Sequence, residues 1–539
     1  MSFLLLASLA LFASPVLSAG ERPPAIGPAG VLSLTNKVVA PDGFARSGIE
    51  FGPLIKANWN EKFAITVANL LTDKSMPVNT AIHWHGLFQR GSSWADGPAF
   101  VTQCPIIPNE SFDYVFDADH PGTFWYHSHL KAQYCDGLRG PIVIYNPNDP
   151  YRDMYDVDDE STIITLADWY HLFSLQIRGA ARPDSTLING VGRYKGGPKV
   201  DLAVVNVEAG KRYRFRLVSM ACDPNWQFSI DGHQMTIIEA DGEYTEPLVV
   251  DSLQIFAGQR YSFVLKADQP VGNYWIRADP NIGDRGFEGG LNSAIFRYKG
   301  AAAQEPTSSA SQSQKPLRES DLHATENPAA PGRPVPGGAD VSLRLVPSFN
   351  TQTLSFEING KSFIPPSLPT LPVMLQIMSG TKQAQELLPQ GSVVGLERNK
   401  VVELIIPPLA IGGPHPMHLH GHAFSVVRSA GNASYNFANP VRRDVVSIGA
   451  GNDEVTIRFT TDNPGPWLLH CHIDFHLENG FAMVFAEDIP NITGDNAPQQ
   501  WKELCPKYQR SLNPAQPVAM GNTPKSRRHQ PRRLATGHH

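Results

Sequence analysis

Histidine pairs recur in four short clusters of this chain, and one of the clusters also contains a cysteine. The clusters are His83-Trp84-His85, His127-Ser128-His129, His415-Pro416-Met417-His418-Leu419-His420-Gly421-His422, and His470-Cys471-His472 with His476. The long stretch between the second and third clusters contains only His171, His233 and His323. A lone His-x-His pair is more often an ordinary surface or core feature than a metal site. Because imidazole is the commonest metal ligand in proteins, four such pairs in one chain predict a metal centre.

The spacing of the clusters predicts two metal sites on opposite faces of one strand. Side chains at i and i+2 leave the same face of a β-strand, and the residue between them points the other way. Four strands would therefore direct eight imidazoles to one place, while Cys471 points away from it. One thiolate with His415 and His476 is the donor set of an electron-transfer copper site. Zinc would be satisfied by three or four ligands, so we predict several copper ions.

The histidine pairs also predict where the metal cluster lies along the chain. They fall between residues 83 and 129 and between residues 415 and 472, and the middle of the chain contributes none. We therefore expect the cluster to lie between the N-terminal and C-terminal domains.

Composition and turn spacing favour an all-β architecture that would supply those strands. Of the 539 residues, 42% are hydrophobic and 18% are charged, and there are 45 glycines and 46 prolines. Short strand-like runs are punctuated by turn residues, which is the pattern of β-sandwiches. These runs are Phe63–Val67, Ile163–Leu166, Tyr213–Val218, Tyr261–Leu265, Val401–Ile406 and Val455–Phe459. Shifts in composition predict domains at residues 21–150, 151–300 and 341–520, a linker at 301–340 and a basic tail at 521–539.

The N-terminus predicts a secreted protein. The first 20 residues contain no charged side chain, and an apolar run from Leu4 to Leu17 is followed by Ser18, Ala19 and Gly20. This is the pattern of a signal peptide over residues 1–20. No later run reaches the roughly 18 apolar residues of a membrane helix. The sequons at Asn109, Asn432 and Asn491 are candidate glycosylation sites in that compartment.

Cysteine count and charge restrict the remaining possibilities. The five cysteines suit two disulfides and one free thiol, although four cysteines allow three connectivities. The formal net charge of the chain is −6. Because the tail contributes the basic residues Lys525, Arg527, Arg528, Arg532 and Arg533, the rest of the chain is more acidic than this value indicates. An acidic body excludes a nucleic-acid binder that works through a basic surface. We expect a monomer with small-molecule partners and no nucleic-acid or membrane partner.

The four clusters together resemble the motifs of the blue multicopper oxidases, and within that family those of the fungal laccases. The similarity runs from about Ala25 to about Tyr508. It implies three consecutive cupredoxin-like Greek-key β-sandwich domains and four copper ions. It further implies a laccase that oxidises phenolic or aromatic donors, those of lignin among them, by one electron each and reduces O2 to water.

The resemblance also implies a ligand for each copper. Type 1 copper would take His415, Cys471 and His476, and type 2 copper would take His83 and His418. One type 3 copper would take His85, His127 and His472, and the other would take His129, His420 and His470. His422 matches no ligand, and we interpret it as a structural histidine.

Further roles follow from the same match. Electrons would pass from Cys471 to its neighbours His470 and His472, which contact the three-copper cluster. Phe481, ten residues after Cys471, stands where ascorbate oxidases have a ligating methionine, and a non-ligating residue there raises the potential. Asp223 matches a carboxylate beside the type 1 pocket that accepts a phenol's proton.

Asp96 resembles an acid near the cluster that helps to deliver protons to oxygen. Without the resemblance, Asp96 and Asp223 would both be ordinary turn residues. The resemblance also selects the disulfides Cys104–Cys505 and Cys135–Cys222.

Two other functions compete with this hypothesis. A metallo-oxidase acting on Fe(II) would need several carboxylates around the type 1 site, and only Asp223 is evident there. A copper-storage protein would favour methionine- and cysteine-rich clusters, yet the chain has 10 methionines and 5 cysteines and no methionine-rich run.

Overall fold

The computed structural model of the protein describes residues 23–310, 312–381, 383–409, 411–494 and 496–512. The predicted signal peptide at 1–20 and the predicted basic tail at 521–539 lie outside these residues. Within them, no helix combines the length and apolar character needed to cross a bilayer.

The N-terminal part of the chain folds into a sandwich of two small sheets. Its strands are β1 Ala29–Leu34, β2 Asn36–Val39, β3 Arg46–Ile49, β4 Ile55–Asn58, β5 Lys62–Asn69, β6 Ile82–His85, β7 Ser111–Asp117, β8 Gly122–Ser128 and β9 Arg139–Tyr145. One sheet has the order β1-β5-β7 and the other β4-β9-β8-β6, and β2 and β3 form a separate hairpin. In β5, Phe63, Ile65 and Val67 are buried while alternate residues face outward, as expected of a strand that covers a core.

The middle sandwich contains the widest sheet of the three sandwiches. Its strands are β10 Ile163–Trp169, β11 Ser185–Ile188, β12 Val191–Tyr194, β13 Val204–Val207, β14 Arg212–Ser219, β15 Trp226–Ile230, β16 Met235–Ala240, β17 Glu243–Val250, β18 Leu253–Ile255, β19 Arg260–Lys266, β20 Asn273–Pro280 and β21 Ser293–Tyr298. A seven-stranded sheet, β12-β11-β10-β14-β19-β16-β17, packs on a five-stranded sheet, β13-β21-β20-β15-β18.

The C-terminal sandwich contains the remaining strands and the α-helices. Its strands are β22 Val341–Arg344, β23 Pro347–Asn350, β24 Ser355–Ile358, β25 Val393–Leu396, β26 Val401–Ile406, β27 Pro416–Leu419, β28 Phe424–Arg428, β29 Arg442–Arg443, β30 Val445–Ser447, β31 Val455–Thr460, β32 Gly465–Cys471 and β33 Ala482–Glu487. The helices are α1 Val373–Met378, α2 Asp474–Glu478 and α3 Gln499–Leu512. Two five-stranded sheets, β22-β26-β31-β28-β29 and β25-β33-β32-β27-β30, form the sandwich, and β23 and β24 form a hairpin.

Short 3-10 helical turns connect many of these strands. They lie at Ser93–Ala95, Gln133–Asp136, Arg152–Met154, Glu160–Thr162, Ser174–Gln176, Glu288–Gly290, Glu319–Asp321, Ala384–Glu386 and Ile489–Asn491. The predicted linker at 301–340 contains one of these turns, and isolated bridges join its Pro316 and Ala324 to Ser252 and Thr245 of the middle sandwich. The all-β fold of three consecutive sandwiches is confirmed, and the six predicted strand runs all lie within strands.

Strand β32 is the element that joins two hydrophobic cores. Leu469 and Cys471 point into a core shared by the middle and C-terminal sandwiches. Leu468, on the other face, packs into the core of the N-terminal sandwich together with residues of α1 and α3. Because both of its faces are covered, all seven residues of β32 are buried. The N-terminal sandwich is thereby docked against the sheet that contains β27 and β32.

Candidate metal centre

Two pairs of antiparallel strands bring the histidine pairs together where the N-terminal and C-terminal sandwiches meet. His83 of β6 lies opposite His127 of β8. His418 of β27 lies opposite His470 of β32 in the same way. The other four histidines of the pairs lie at or just beyond strand ends, at His85, His129, His420 and His472. Each pair therefore lies at the end of a strand, and in three of the four pairs the second histidine is just outside the strand.

The eight imidazoles form groups whose nitrogen atoms lie within ligand distance of one another. In three groups, one nitrogen from each ring lies within 4.8 Å of the others, namely His83 with His85 and His418, His85 with His127 and His472, and His129 with His420 and His470. Facing nitrogens of His83 and His418 are 3.4 Å apart, those of His420 and His470 are 3.2 Å apart, and those of His85 and His472 are 3.1 Å apart. Both type 3 sets that the resemblance implies are among these groups.

In four of the rings, a hydrogen bond on the far side determines which nitrogen faces the centre. Nδ1 of His83 and Nδ1 of His418 lie 2.8 and 2.9 Å from the backbone carbonyls of Asp96 and Asp444. Nδ1 of His127 and Nδ1 of His470 each lie 2.9 Å from a backbone carbonyl of a neighbouring residue. A carbonyl only accepts, so Nδ1 bears the hydrogen and the lone pair of Nε2 is free.

Unpartnered nitrogen atoms show that these rings are aimed at something that the polypeptide does not supply. The buried Nε2 atoms of His127 and His129 have no hydrogen-bond partner. Buried polar atoms are normally paired. A cluster of neutral imidazoles with inward lone pairs fits transition-metal ions.

Burial keeps these imidazoles in the form that binds metal. It lowers the pKa of His85, His127, His129, His418, His420 and His472 well below the usual range, and mutual repulsion between neighbouring rings adds to the effect. Burial lowers the pKa of His470 to about 3. The rings are therefore neutral near pH 7, and neutral imidazole is the ligating form.

A second, smaller site lies on the other face of β32. Sγ of Cys471 is 3.6 Å from Nδ1 of His415 and 3.7 Å from Nδ1 of His476, and the two nitrogens are 3.1 Å apart. These edges form a triangle that accommodates one ion bonded at roughly 2 Å to each donor. Burial raises the pKa of the Cys471 thiol well above its usual range, so metal binding would release a proton. One thiolate and two imidazoles are the donors of an electron-transfer copper site.

Comparison with known proteins decides the family. Residues 42–149, 160–301 and 363–491 each match a family described as Multicopper oxidase. Laccase-2 of Pleurotus ostreatus is 57% identical over 502 residues, which cover 90% of this chain and 93% of that protein. A laccase of Trametes hirsuta is 58% identical, covering 90% of this chain and 94% of that protein. The chain belongs to the multicopper oxidases.

Solved structures support the same conclusion. The laccase from Botrytis aclada, at 30% identity, superposes with a TM-score of 0.78 and covers 93% of this chain and 95% of its own. A multicopper oxidase that functions in iron import, at 25% identity, superposes with a TM-score of 0.77 and covers 89% of this chain and 95% of its own.

Asp96 touches two histidines of the larger centre of this multicopper oxidase. Its Oδ2 atom lies 2.8 Å from Nδ1 of His420, and its Oδ1 atom lies 3.2 Å from Nδ1 of His83. The turn that follows needs glycine at position 97, where φ is +98° and a Cβ atom would lie 1.7 Å from the Ile82 carbonyl oxygen. The Asp-Gly sequence therefore lets the turn lie against β6, beside His83.

A second carboxylate and an arginine at the same centre were missed by sequence reasoning. Oδ1 of Asp444 lies 3.2 Å from Nε2 of His85. Arg260 of β19 forms two hydrogen bonds to the Asp444 carboxylate, at 2.7 and 2.6 Å. The middle sandwich thus supplies no histidine but does supply a cation that holds Asp444. No local spacing could have revealed this, because Asp444 and His85 are 359 residues apart.

Phe481 lies beside the smaller site, as its sequence position implies. Its ring centroid is 5.1 Å from that of His415, and it stacks on Phe356 at 5.3 Å. Its carbonyl accepts a hydrogen bond from the backbone N–H of Cys471 at 3.0 Å. Phe356 also packs on His476 with centroids 4.4 Å apart. Aromatic carbon therefore borders the thiolate and the two imidazoles.

Asp223 is half-buried on the segment that follows the disulfide-bonded Cys222. Its backbone N–H donates to Oδ2 of Asp168 at 3.1 Å. Burial, and then the nearby Asp168 carboxylate, raise the pKa of Asp223 to about 8. The Cys222 carbonyl accepts from the backbone N–H of Asp474, at the start of α2, which also contains His476.

The remaining predicted residues have clear places in the structure. Disulfides join Cys104 to Cys505 and Cys135 to Cys222, the pairs that the resemblance selects. Nε2 of His422 lies 3.0 Å from the buried Glu487 carboxylate, away from the ligand groups. Among the sequons, Asn109 and Asn491 are exposed and Asn432 is half-buried. Their glycosylation stays a prediction.

Proposed function

We propose that this multicopper oxidase is a secreted laccase with four coppers, which oxidises phenolic and aromatic donors and reduces O2 to water. The observation that supports this most strongly is the position of Cys471. Its thiol belongs to one donor set, and its backbone neighbours His470 and His472 belong to the other. One strand therefore links an electron-entry site to a cluster. The identity of more than half the residues with several laccases supports the same activity.

The proposed ligand sets follow the groups described above. His415, Cys471 and His476 would hold type 1 copper, and His83 and His418 would hold type 2 copper. His85, His127 and His472 would hold one type 3 copper, and His129, His420 and His470 would hold the other. Copper supplies one-electron redox steps, and several coppers together supply the four electrons that O2 requires.

The donor would meet the protein at His476. This ring is half-buried, whereas Cys471 and His415 are fully buried. A phenol against the ring edge would give up one electron toward Cys471 and one proton to the Asp223 carboxylate. Four such events release four electrons and four protons, and these balance the conversion of one O2 to two water molecules.

The carboxylates near the larger centre hold its ligands. Asp96 fixes the ring of His420 through its carboxylate and that of His83 through its backbone carbonyl, and Asp444 fixes His85. Such outer contacts set the tautomer and orientation of ligating histidines. A role of Asp96 in delivering protons to oxygen stays a prediction from the sequence.

Oxygen uptake by the copper-loaded protein tests the proposed function. We expect steady uptake with a methoxyphenol and much slower uptake with Fe(II). Faster turnover of Fe(II) than of the phenol would replace this proposal with a metallo-oxidase. The absence of uptake with a phenol, Fe(II) or ascorbate would favour copper storage.

A further inference from the structure

Residues 220–223, which end at Asp223, are held by side-chain and backbone groups from all three sandwiches. The Met220 carbonyl accepts from Nη1 of Arg139 at 2.6 Å, and the Ala221 carbonyl accepts from the Tyr134 hydroxyl at 2.9 Å. The Cys222 carbonyl accepts from the N–H of Asp474 at 2.8 Å. Cys222 is also bonded to Cys135. The segment therefore has little freedom to move.

Asp168 is the centre of this arrangement. It lies on β10 and is fully buried. Oδ1 accepts from Arg139 at 3.1 Å and from the Cys222 N–H at 2.9 Å. Oδ2 accepts from the Tyr170 hydroxyl at 2.8 Å and from the Asp223 N–H at 3.1 Å. A carboxylate with four donors is fully satisfied and strongly oriented.

Arg139 makes a charged Asp168 tolerable in this interior. The guanidinium is also fully buried, and its Nη2 donates to the Asp168 backbone carbonyl at 2.5 Å. A buried carboxylate without a cation would be neutralised by protonation. The ion pair therefore holds the Asp168 carboxylate beside Asp223 and acts on it electrostatically.

We propose that the Arg139–Asp168 ion pair is the positioning device of Asp223, which fixes this residue relative to the type 1 site and makes it a stronger base toward phenolic donors. This inference rests on the proposed laccase function. Asp168 is fully buried, so it would act on a phenolic substrate only through Asp223, whose backbone N–H donates to it and whose carboxylate feels its charge.

The charges around Asp223 support this role. Burial and the Asp168 carboxylate raise its pKa to about 8. Among the residues that the structure describes, Tyr170, just after β10, and the Cys471 thiol on β32 also interact electrostatically with Asp223. A base whose pKa lies near the working pH takes up a proton most effectively. Of the two causes that raise the pKa of Asp223, the negative charge of Asp168 is the one that a single substitution can remove.

The test is the pH dependence of kcat/KM in the copper-loaded protein, with a methoxyphenol and with a non-phenolic one-electron donor. Asp168→Asn removes the charge but keeps the shape, so it should lower the pKa of Asp223. We expect the acid limb of the phenol profile to shift down by about one pH unit. The non-phenolic profile, the blue absorption and the type 1 potential should not change.

Tyr170→Phe provides a second, milder test. It removes one donor from Asp168, which leaves the charge of that carboxylate less compensated and raises the pKa of Asp223. The acid limb should therefore move to higher pH, opposite in sign to the effect of Asp168→Asn. If Asp168→Asn does not fold, the Tyr170→Phe variant becomes the only test. An acid limb of the phenol profile at the same pH as in the native protein would then overturn the proposal.

Asp231→Asn is the matched control. Asp231 is a buried carboxylate of the middle sandwich, bonded to Arg277 at 2.7 and 2.8 Å. Loss of the Asp231 carboxylate should reduce the stability of the protein without shifting the acid limb of the phenol pH profile. A limb that moves equally in this variant would show a general structural effect and overturn the positioning role.

The outcomes separate this inference from the proposed function. If the native protein oxidises no phenol at any pH, both fail. If Asp223→Asn abolishes the acid limb but Asp168→Asn and Tyr170→Phe leave it in place, Asp223 is the base and only the positioning role is overturned.

Discussion

Replacement of Asp96 tests the assignment of the larger centre, because this carboxylate touches rings from two different predicted copper sites. Its two oxygens lie 2.8 Å from Nδ1 of His420 and 3.2 Å from Nδ1 of His83. Nδ1 of His83 donates to the Asp96 carbonyl, and Oδ1 of Asp96 has no hydrogen-bond partner, whereas Nδ1 of His420 depends on the Asp96 side chain. The substitution should therefore loosen His420 more than His83.

The structure predicts a graded loss of copper affinity. In Asp96→Asn, the amide oxygen can still accept from His420, while the NH2 group faces a donor nitrogen of His83. Asp96→Ala leaves Nδ1 of His420 without its acceptor. Loss of an outer contact costs roughly 10–100-fold in metal affinity. We expect Asp96→Asn to lie near the lower end of that range and Asp96→Ala near the upper end.

A chelator titration that follows copper per chain would measure this effect. The blue absorption of the type 1 site serves as an internal reference and should persist while cluster copper is lost. Asp231→Asn, which removes a buried carboxylate from the middle sandwich, should retain its copper. Equal retention by Asp96→Ala and the native protein would refute the claim that Asp96 holds the cluster ligands.

Three further substitutions test the type 1 site and its base. Cys471→Ser should abolish the blue absorption and the turnover but keep cluster copper, and a variant that stays blue would disprove the ligand assignment. Phe481→Met should lower the type 1 potential in a redox titration, because a thioether stabilises Cu(II); an unchanged or higher potential would count against it. Asp223→Asn should slow phenols by about 10²-fold at most where the carboxylate is ionised. Because burial and Asp168 raise the pKa of Asp223, its ionised form is lost as pH falls, so the rates of native protein and variant should converge in acid. Equal losses for a non-phenolic donor would make Asp223 a structural turn residue.

Local patterns predicted much of the site because its main features repeat at short spacing. Alternation along a strand places Cys471 opposite His470 and His472, and in the structure Cys471 points into one core while the two histidines face another sandwich. The strand runs were equally visible, since buried and exposed residues alternate in strands such as β5.

Contacts between distant parts of the chain could not be predicted in this way. Asp444 meets His85 across 359 residues, and Asp168 meets Arg139 across 29 residues and a sandwich boundary. Neither carboxylate lies in a recognisable motif, so only the packing of the sandwiches reveals their partners. Helix α3 was likewise not predicted; its Cys505 is joined to Cys104 of the N-terminal sandwich.

The most direct test of a linked electron-entry site and cluster is the number of electrons transferred per O2 consumed. The copper-loaded protein would be supplied with a one-electron donor whose oxidised form is stable, and donor oxidation, O2 uptake and hydrogen peroxide would be followed together. We predict four donor molecules oxidised per O2 and no peroxide, because the strand through Cys471 joins both centres. Two donor molecules per O2, with one peroxide formed each time, would contradict the account.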